Sequence, residues 1–270
     1  MPGPVFVHLL AADTVPAAFA GCTAVVIDQL RASTTICAAL HAGAERVVVC
    51  LEPDEARAEQ ARHAPGRCLT GGERESVLIP GFDLDNSPAA YTPERVGGKI
   101  VAFTTTNGTR AARIAAGGGG GGAAEIVFGC LANLTALMLH LGDDERPVRI
   151  VCAGTRGRIT LEDVLVAGAI CDRMSVLGRP LNMPDPREDD DSAQLALALW
   201  RQTVERPDGV HACMKRSRGG RNLIRVGLGM DVEFCSRVDV LPVVPVVDTA
   251  TWSATKAPAR ARRGSGTLGA

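Results

Sequence analysis

Aromatic side chains are scarce in this chain: one Tyr, two Trp and six Phe in 270 residues. Recognition of a base or sugar by stacking needs more flat faces than that, which argues against a nucleotide- or sugar-phosphate transferase. Lysine is scarcer for its class, with Lys99, Lys215 and Lys256 the only three among 29 basic residues. The Arg bias is what a GC-rich genome produces, so each Arg has to be argued from its neighbours. Neither sign of charge dominates: the formal net charge is −1, leaving no global field to recruit nucleic acid or a membrane surface. The nine Cys include no C-x-x-C pair and no zinc spacing with His, and read as reduced core residues of a cytoplasmic protein. No apolar run approaches the roughly 18 residues that cross a bilayer, and no secretory leader pattern opens the chain. A Walker A loop, a D-x-D-x-T/V run and a G-x-S-x-G elbow are also missing. The five His (His8, His41, His63, His140, His211) share no motif. What is present, 46% apolar and 22% charged residues, fits a soluble globular protein long enough to bury a sizeable core.

Apolar runs alternate with helical patterns along the chain. Strands are predicted at 4–10, 24–27, 47–50, 99–103, 125–128 and 148–151, and helices at 33–41, 53–62, 133–141, 161–177 and 192–204. The alternation predicts an α/β fold, α/β/α layered around a mixed, largely parallel sheet covered on both faces. It occupies 1–248, either as one unit or as two similar lobes, 1–140 and 141–248, and 249–270 reads as a flexible basic tail. The six glycines 117–122 read as a linker, Asp189, Asp190 and Asp191 as acids at a helix start, 217–229 as a Gly/Arg-rich connection, and 241–247 as a Pro-broken edge strand.

Four polar clusters each follow a predicted strand, the position where ligands bind in such sheets if the strands are parallel. Gly154-Thr155-Arg156-Gly157-Arg158-Ile159-Thr160-Leu161-Glu162-Asp163 joins a strand to a helix through glycines and two guanidiniums. Close backbone approach, planar Arg forks and a helix start suit an anion, and the two carboxylates suit a divalent cation. Thr160 and Asp163 also read as an N-cap pair, which leaves Glu162 the better single ligand. Asp28 and Arg31 are either a metal carboxylate and a phosphate grip or a strand-end cap with its surface partner. Gly71-Gly72-Glu73-Arg74 reads as a glycine turn, with or without chemistry. Thr104-Thr105-Thr106-Asn107-Gly108-Thr109 offers hydroxyl and backbone donors in a nest suited to an oxyanion. Cys152 and Arg158 match the C-x5-R spacing of cysteine-dependent phosphatases, although Val151, Gly154 and Ile159 depart from that signature.

Taken in order, Val25–Thr35 with Asp28, Arg31, Ser33 and Thr34, then Gly72-Glu73-Arg74, Gly81–Pro88, Thr104–Thr109, Cys152–Thr155 with Leu161–Asp163, and Asp231–Cys235 closely resemble the 2-phosphosulfolactate phosphatase family. The likeness spans about Val25 to Val247; Gln29, the six-glycine run and the tail depart from it. The resemblance implies a magnesium-dependent phosphatase of α/β/α fold that converts 2-phosphosulfolactate to sulfolactate and phosphate, a step in coenzyme M biosynthesis. On that basis Mg²⁺ is expected between Asp28, Glu73 and Glu162 or Asp163. Arg31, Arg74 and Thr105, Thr106, Asn107, Gly108 and Thr109 would hold the phosphate, and Thr155 with Arg156 or Arg158 the substrate's other acid. The partner would be a small, phosphorylated, anionic substrate, with a homo-oligomer open. The alternatives are a cysteine phosphatase using Cys152 and Arg158, and a non-catalytic module that binds a phosphorylated metabolite.

Overall fold

A computed structural model describes residues 2–117, 121–142, 144–181 and 191–258. The middle of the six-glycine run (118–120), Asp189, Asp190 and the tail from 259 lie outside the described residues. The strands are β1 (Val5–His8), β2 (Thr23–Ile27), β3 (Arg46–Cys50), β4 (Cys68–Arg74), β5 (Val77–Leu78), β6 (Ile100–Thr104), β7 (Glu125–Phe128), β8 (Val148–Cys152), β9 (Pro245–Asp248) and β10 (Ser253–Lys256). They form one ten-stranded sheet in the order β1-β8-β2-β7-β9-β10-β3-β6-β4-β5. The helices are α1 (Ala32–His41), α2 (Pro53–Ala61), α3 (Pro93–Val96), α4 (Gly108–Ala115), α5 (Leu134–Leu141), α6 (Leu161–Val176), α7 (Ser192–Val204), α8 (Gly209–Arg216), α9 (Arg218–Arg225) and α10 (Gly229–Cys235).

The layering follows from the pleat. Ala24 and Val26 of β2 enter a core shared with α1 and α4, whereas Val25 and Ile27 enter a second core with α5, α6 and α7. Successive side chains of a strand point to opposite faces, so a strand with no polar residue in this stretch is covered on both sides. A third cluster, with Ala56 of α2 against Val48, Ile100 and Ala102, covers the outer side of β3 and β6. The α/β/α arrangement is as expected.

The sheet is mixed and largely parallel, also as expected, but its parallel strands fall into two groups. β1, β8, β2 and β7 are mutually parallel, and so are β3, β6 and β4, but three antiparallel pairings through β9 and β10 separate the two groups. The groups therefore run in opposite directions, and no single parallel rim gathers the polar clusters. Helices do it instead. α1 leaves β2 and packs on β3, β7 and β9, while α4 leaves β6 and packs back on β2 and β8. Their N-termini meet: a methyl on Gly108 would lie 3.0 Å from Ala32 Cβ and 2.9 Å from Asp28 Oδ2.

Three further expectations are corrected. Residues 253–256 of the expected tail form β10, which pairs with β3 and β9 and makes β9 an interior strand rather than an edge. Pro245 is tolerated there because it is the first residue of its strand. Most of the stretch 217–229 is the helix α9: Ser217 Oγ caps it by accepting from Gly220 N at 3.0 Å, which overrides the two glycines that follow. Finally, β8 inserts between β1 and β2, so a cut at 140/141 would divide one sheet.

Candidate active site

Asp28 ends the buried strand β2, and its carboxyl faces the N-termini of α1 and α4. Oδ1 accepts from Ala32 N at 3.4 Å, and only 8% of the residue is exposed. Burial, with the negative charges of Glu73 and Glu162 adding to it, pushes this carboxyl up to about 7. Glu73 and Glu162 thus both lie close enough to Asp28 to disfavour its charge.

Glu73 and Arg74 close β4. The glycines before them belong to the strand and not to a turn: Gly72 has φ +136°, and a methyl there would stand 1.9 Å from Thr104 O. The turn comes later, at Glu75 and Ser76, whose φ values of 56° and 66° suit a tight hairpin into β5. Glu73 Oε2 accepts from Ser76 N at 2.5 Å, and Oε1 accepts weakly from Thr106 N and Oγ1 at 3.4 and 3.3 Å. Arg74 is anchored on Leu51 O, Glu73 O and Thr104 Oγ1 at 2.9–3.1 Å, with Glu52 at 3.3 Å.

The two carboxylates opening α6 divide their work. Asp163 accepts from Gln29 N and Gly154 N at 2.9 Å and from Thr160 Oγ1 at 3.0 Å, so both its oxygens tie the β2 and β8 ends to the helix. Both its oxygens are therefore engaged within the protein, which sets it apart from Glu162 among the expected metal ligands. Glu162 accepts from Gly219 N at 3.0 Å through Oε1, while Oε2 is buried with no partner among the described residues. Burial pushes its carboxyl up. A buried carboxylate oxygen left unpaired is costly unless something positive meets it.

These elements surround a cavity of about 690 Å³ lined by Arg31, Glu73, Arg74, Thr106, Asn107, Thr155 and Arg156 among others. Asp28 and Glu162 sit one residue behind the wall: Asp28 packs on Gly108, next to lining Asn107, and Glu162 binds Gly219, which lines it. Arg31 is fixed by a buried ion pair with Asp231, whose other oxygen accepts from Ser87 Oγ at 2.6 Å. That contact joins the Gly81–Pro88 and Asp231–Cys235 segments to the site. Gln29, a departure from the family pattern, is fully buried and bonded at both ends of its amide, donating to Cys235 O at 2.6 Å and accepting from Leu131 N at 3.2 Å.

Sequence reasoning missed Ser76, Asn86 and one whole face of α9: Arg218, Arg221, Asn222 and Arg225 all line the cavity. The i, i+3, i+4, i+7 spacing of those four was the available signal. Other expected residues do not face the cavity. Thr105 and Thr109 are buried, with Thr109 Oγ1 spent on Thr105 O at 2.9 Å, so the oxyanion nest reduces to Thr106 and Asn107. Arg158 is exposed and outside the lining, whereas Arg156 lines it and pairs with Glu75 at 3.0 Å. The four expected metal carboxylates are not a finished cage: among the described residues, no group of three His, Cys, Asp or Glu is arranged to hold a metal ion.

The cysteine mechanism fails on geometry. Cys152 is fully buried in β8, and burial pushes its thiol well above the ordinary value, opposite to what a thiolate nucleophile needs. Cys152→Ser is expected to keep activity within a few-fold, while costing about 1–3 kcal/mol in urea unfolding for a buried hydroxyl without a partner. Loss of all turnover by a folded Ser variant would restore the thiol. Among the described residues, no helix is long and apolar enough to cross a membrane.

Comparison with known proteins gives a consistent picture. The family model described as 2-phosphosulpholactate phosphatase matches residues 9–250. A Symbiobacterium thermophilum protein named "Probable 2-phosphosulfolactate phosphatase" is 45% identical over 229 residues, covering 84% of this chain and 91% of its own length. A protein of the same name from Caldanaerobacter subterraneus is 37% identical over 221 residues, covering 82% and 86% respectively. With the match running across both parallel groups and every wall of the cavity, this chain belongs to the 2-phosphosulfolactate phosphatase family.

Proposed function

We propose that the protein is a magnesium-dependent phosphoric monoester hydrolase acting on 2-phosphosulfolactate or a similar phosphorylated hydroxy acid. The observation that carries this reading is one cavity whose guanidiniums share their wall with Glu73, with the buried carboxyls of Asp28 and Glu162 directly behind that wall. An all-cationic pocket would suffice to bind an anion; the acids add a demand for positive charge that a bound cation meets. The unpartnered Glu162 Oε2 and the raised Asp28 carboxyl fit such an ion, with Asp28, Glu73 and Glu162 as its holders. A small hard cation needs only one or two carboxylates, taking its remaining ligands from water and phosphate, so a finished protein cage is unnecessary. Bound there, Mg²⁺ would neutralise phosphoryl charge and orient water.

The chain's own groups do the rest. Arg31, kept in place by Asp231, and Arg74, kept in place by main-chain oxygens, present fixed forks to phosphoryl oxygens. Thr106 and Asn107, at the N-terminus of α4, add donors where helix amides favour an anion. In hydrolysis the ester P–O bond breaks, the oxygen of water joins phosphorus, and a water proton ends on the released hydroxy acid. Phosphoryl transfer asks little beyond this positioning and charge neutralisation.

The test is release of inorganic phosphate from 2-phosphosulfolactate, with and without chelator. Chelation is expected to lower turnover at least about 100-fold, with recovery on adding Mg²⁺, because the lost charge stabilisation is worth several kcal/mol. Undiminished turnover in chelator removes the metal. Tight binding of the ester with no phosphate release would favour the non-catalytic binding module instead.

A further inference from the structure

Among the guanidiniums of the cavity, three are already matched to carboxylates: Arg31 to Asp231, Arg74 to Glu52 and Arg156 to Glu75. The other three, Arg218, Arg221 and Arg225, all lie on α9, and among the described residues none is within ion-pair distance of an acid. Arg218 is turned to the inner wall, donating to Thr155 O at 3.2 Å and lending positive charge to Glu162. Arg221 and Arg225 make only local contacts along their helix, Arg221 with Arg216 O and Arg225 with Asn222 Oδ1 at 2.6 Å. A guanidinium has five N–H donors, so most of theirs remain for a ligand. The helix that carries them is anchored. Ser217 caps it, Leu223 is buried, and Asn222 Nδ2 donates to Ser76 Oγ at 2.8 Å, fixing α9 against the β4–β5 turn.

The candidate phosphate grips, Arg31, Arg74, Thr106 and Asn107, come from the residues just before α1 and α4 and from the end of β4, and not from α9. Two unmatched cations on a separate wall exceed what one phosphate requires. We propose that Arg221 and Arg225 bind the non-transferred acidic arm of the substrate, a carboxylate or sulfonate, and so select phosphomonoesters that carry a further strong anion. This assigns to α9 the role that spacing had given to Arg156 or Arg158, and it rests on the phosphatase reading above. Planar forks suit carboxylate and sulfonate alike. The site therefore reads the charge and shape of an acid group, and discriminates against phosphate esters of neutral alcohols.

The experiment compares kcat/KM for 2-phosphosulfolactate with that for glycerol 2-phosphate, which has no acidic arm, in wild type and in Arg221→Ala/Arg225→Ala. Both positions are exposed, so the variant keeps the fold; circular dichroism checks this. The preference for the acidic substrate is expected to fall at least about 30-fold, mainly through KM, the scale of two charge-assisted contacts. Arg221→Lys/Arg225→Lys should recover part of it, and Arg62→Gln at the C-terminal end of α2 should leave the ratio alone. A ratio within about twofold of wild type in the double Ala variant overturns the proposal, whatever the absolute rates. Calorimetric binding of sulfolactate, which carries no phosphate, separates the two readings. Binding by wild type that weakens at least about tenfold in the Ala variant supports the α9 site even if no ester is hydrolysed. Hydrolysis with unchanged discrimination sinks α9 alone, and wild type that neither hydrolyses the ester nor binds sulfolactate sinks both.

Discussion

Asp28→Asn is expected to reduce turnover by at least about 10³-fold while making the metal-free protein more stable above pH 7. The two effects have one cause. Asp28 is buried beside Glu73 and Glu162, and its carboxyl is raised from 3.8 to about 7. A carboxyl raised on folding stabilises the native state while protonated: the benefit is complete below about pH 4 and is lost as pH climbs through about 7. Across that window the loss is roughly 4 kcal/mol, at about 1.4 kcal/mol per pH unit. Asn never takes the charge, so it escapes this loss. It gives up about 1–3 kcal/mol if its amide group meets the N–H of Ala32 or Gly108, both of which now donate to the carboxylate. Urea midpoints in chelator at pH 5 and pH 8 read the difference: wild type should weaken between the two pH values more than the variant. Added Mg²⁺ should restore wild type at pH 8 and do little for Asn. A variant that keeps the wild-type pH slope would show that the carboxyl is not held above its ordinary range. One that keeps turnover would take Asp28 out of the reaction. A group that lowers stability while it supports activity is what an active site is expected to contain.

Gly72→Ala is expected to cost more than about 4 kcal/mol, enough to leave little soluble protein, since a domain has only about 5–15 kcal/mol in all. Two penalties coincide at this position. The residue has φ +136°, where a side chain is strained, and the new methyl would stand 1.9 Å from Thr104 O on the neighbouring strand. The obstruction is main chain, so no rotamer change relieves it. Gly72 pairs with Thr104 in the β4–β6 ladder and donates from N to Leu84 O at 3.1 Å. Moving β4 away would break both and displace Glu73 and Arg74, which follow directly. Gly229→Ala is the control, because its nearest neighbour would be 3.9 Å away and its φ is not positive. Soluble yield and urea unfolding check the pair; a Gly72→Ala protein as stable as the Gly229→Ala control would mean that β4 and β6 do not approach as described.

Much of the site was readable in the order of residues. Val25–Ile27 reads as a doubly buried strand because nothing polar interrupts it, and it places Asp28 at a strand end. The pairing of Thr160 with Asp163 was legible from their three-residue spacing, which also singled out Glu162 as the acid left over. Thr109 failed because it lies inside α4 and spends its hydroxyl on Thr105 O; Arg158 failed for a different reason. Spacing within a loop says which residues are close in sequence but not which way a side chain leaves the turn, and here Arg156 turns into the cavity while Arg158 turns out. α9 was lost because Gly219 and Gly220 disfavour a helix on propensity; the Ser217 cap and the burial of Leu223 outweigh them.

By itself the sequence determined the α/β class, most of the strands and helices, and the family, because these depend on local periodicity and on motifs in register; it also singled out Asp28, Glu73 and Glu162 as the acids proposed to act. Only the tertiary structure decided that the two parallel groups oppose each other across β9 and β10, that α1 and α4 cross between them, and that α9 supplies the unmatched cations. Those outcomes depend on contacts between residues far apart in the chain: Gly108 on Asp28, Gly219 on Glu162 and Arg31 on Asp231. Burial and charge pairing fix such contacts at the level of the whole fold, and no local pattern encodes them.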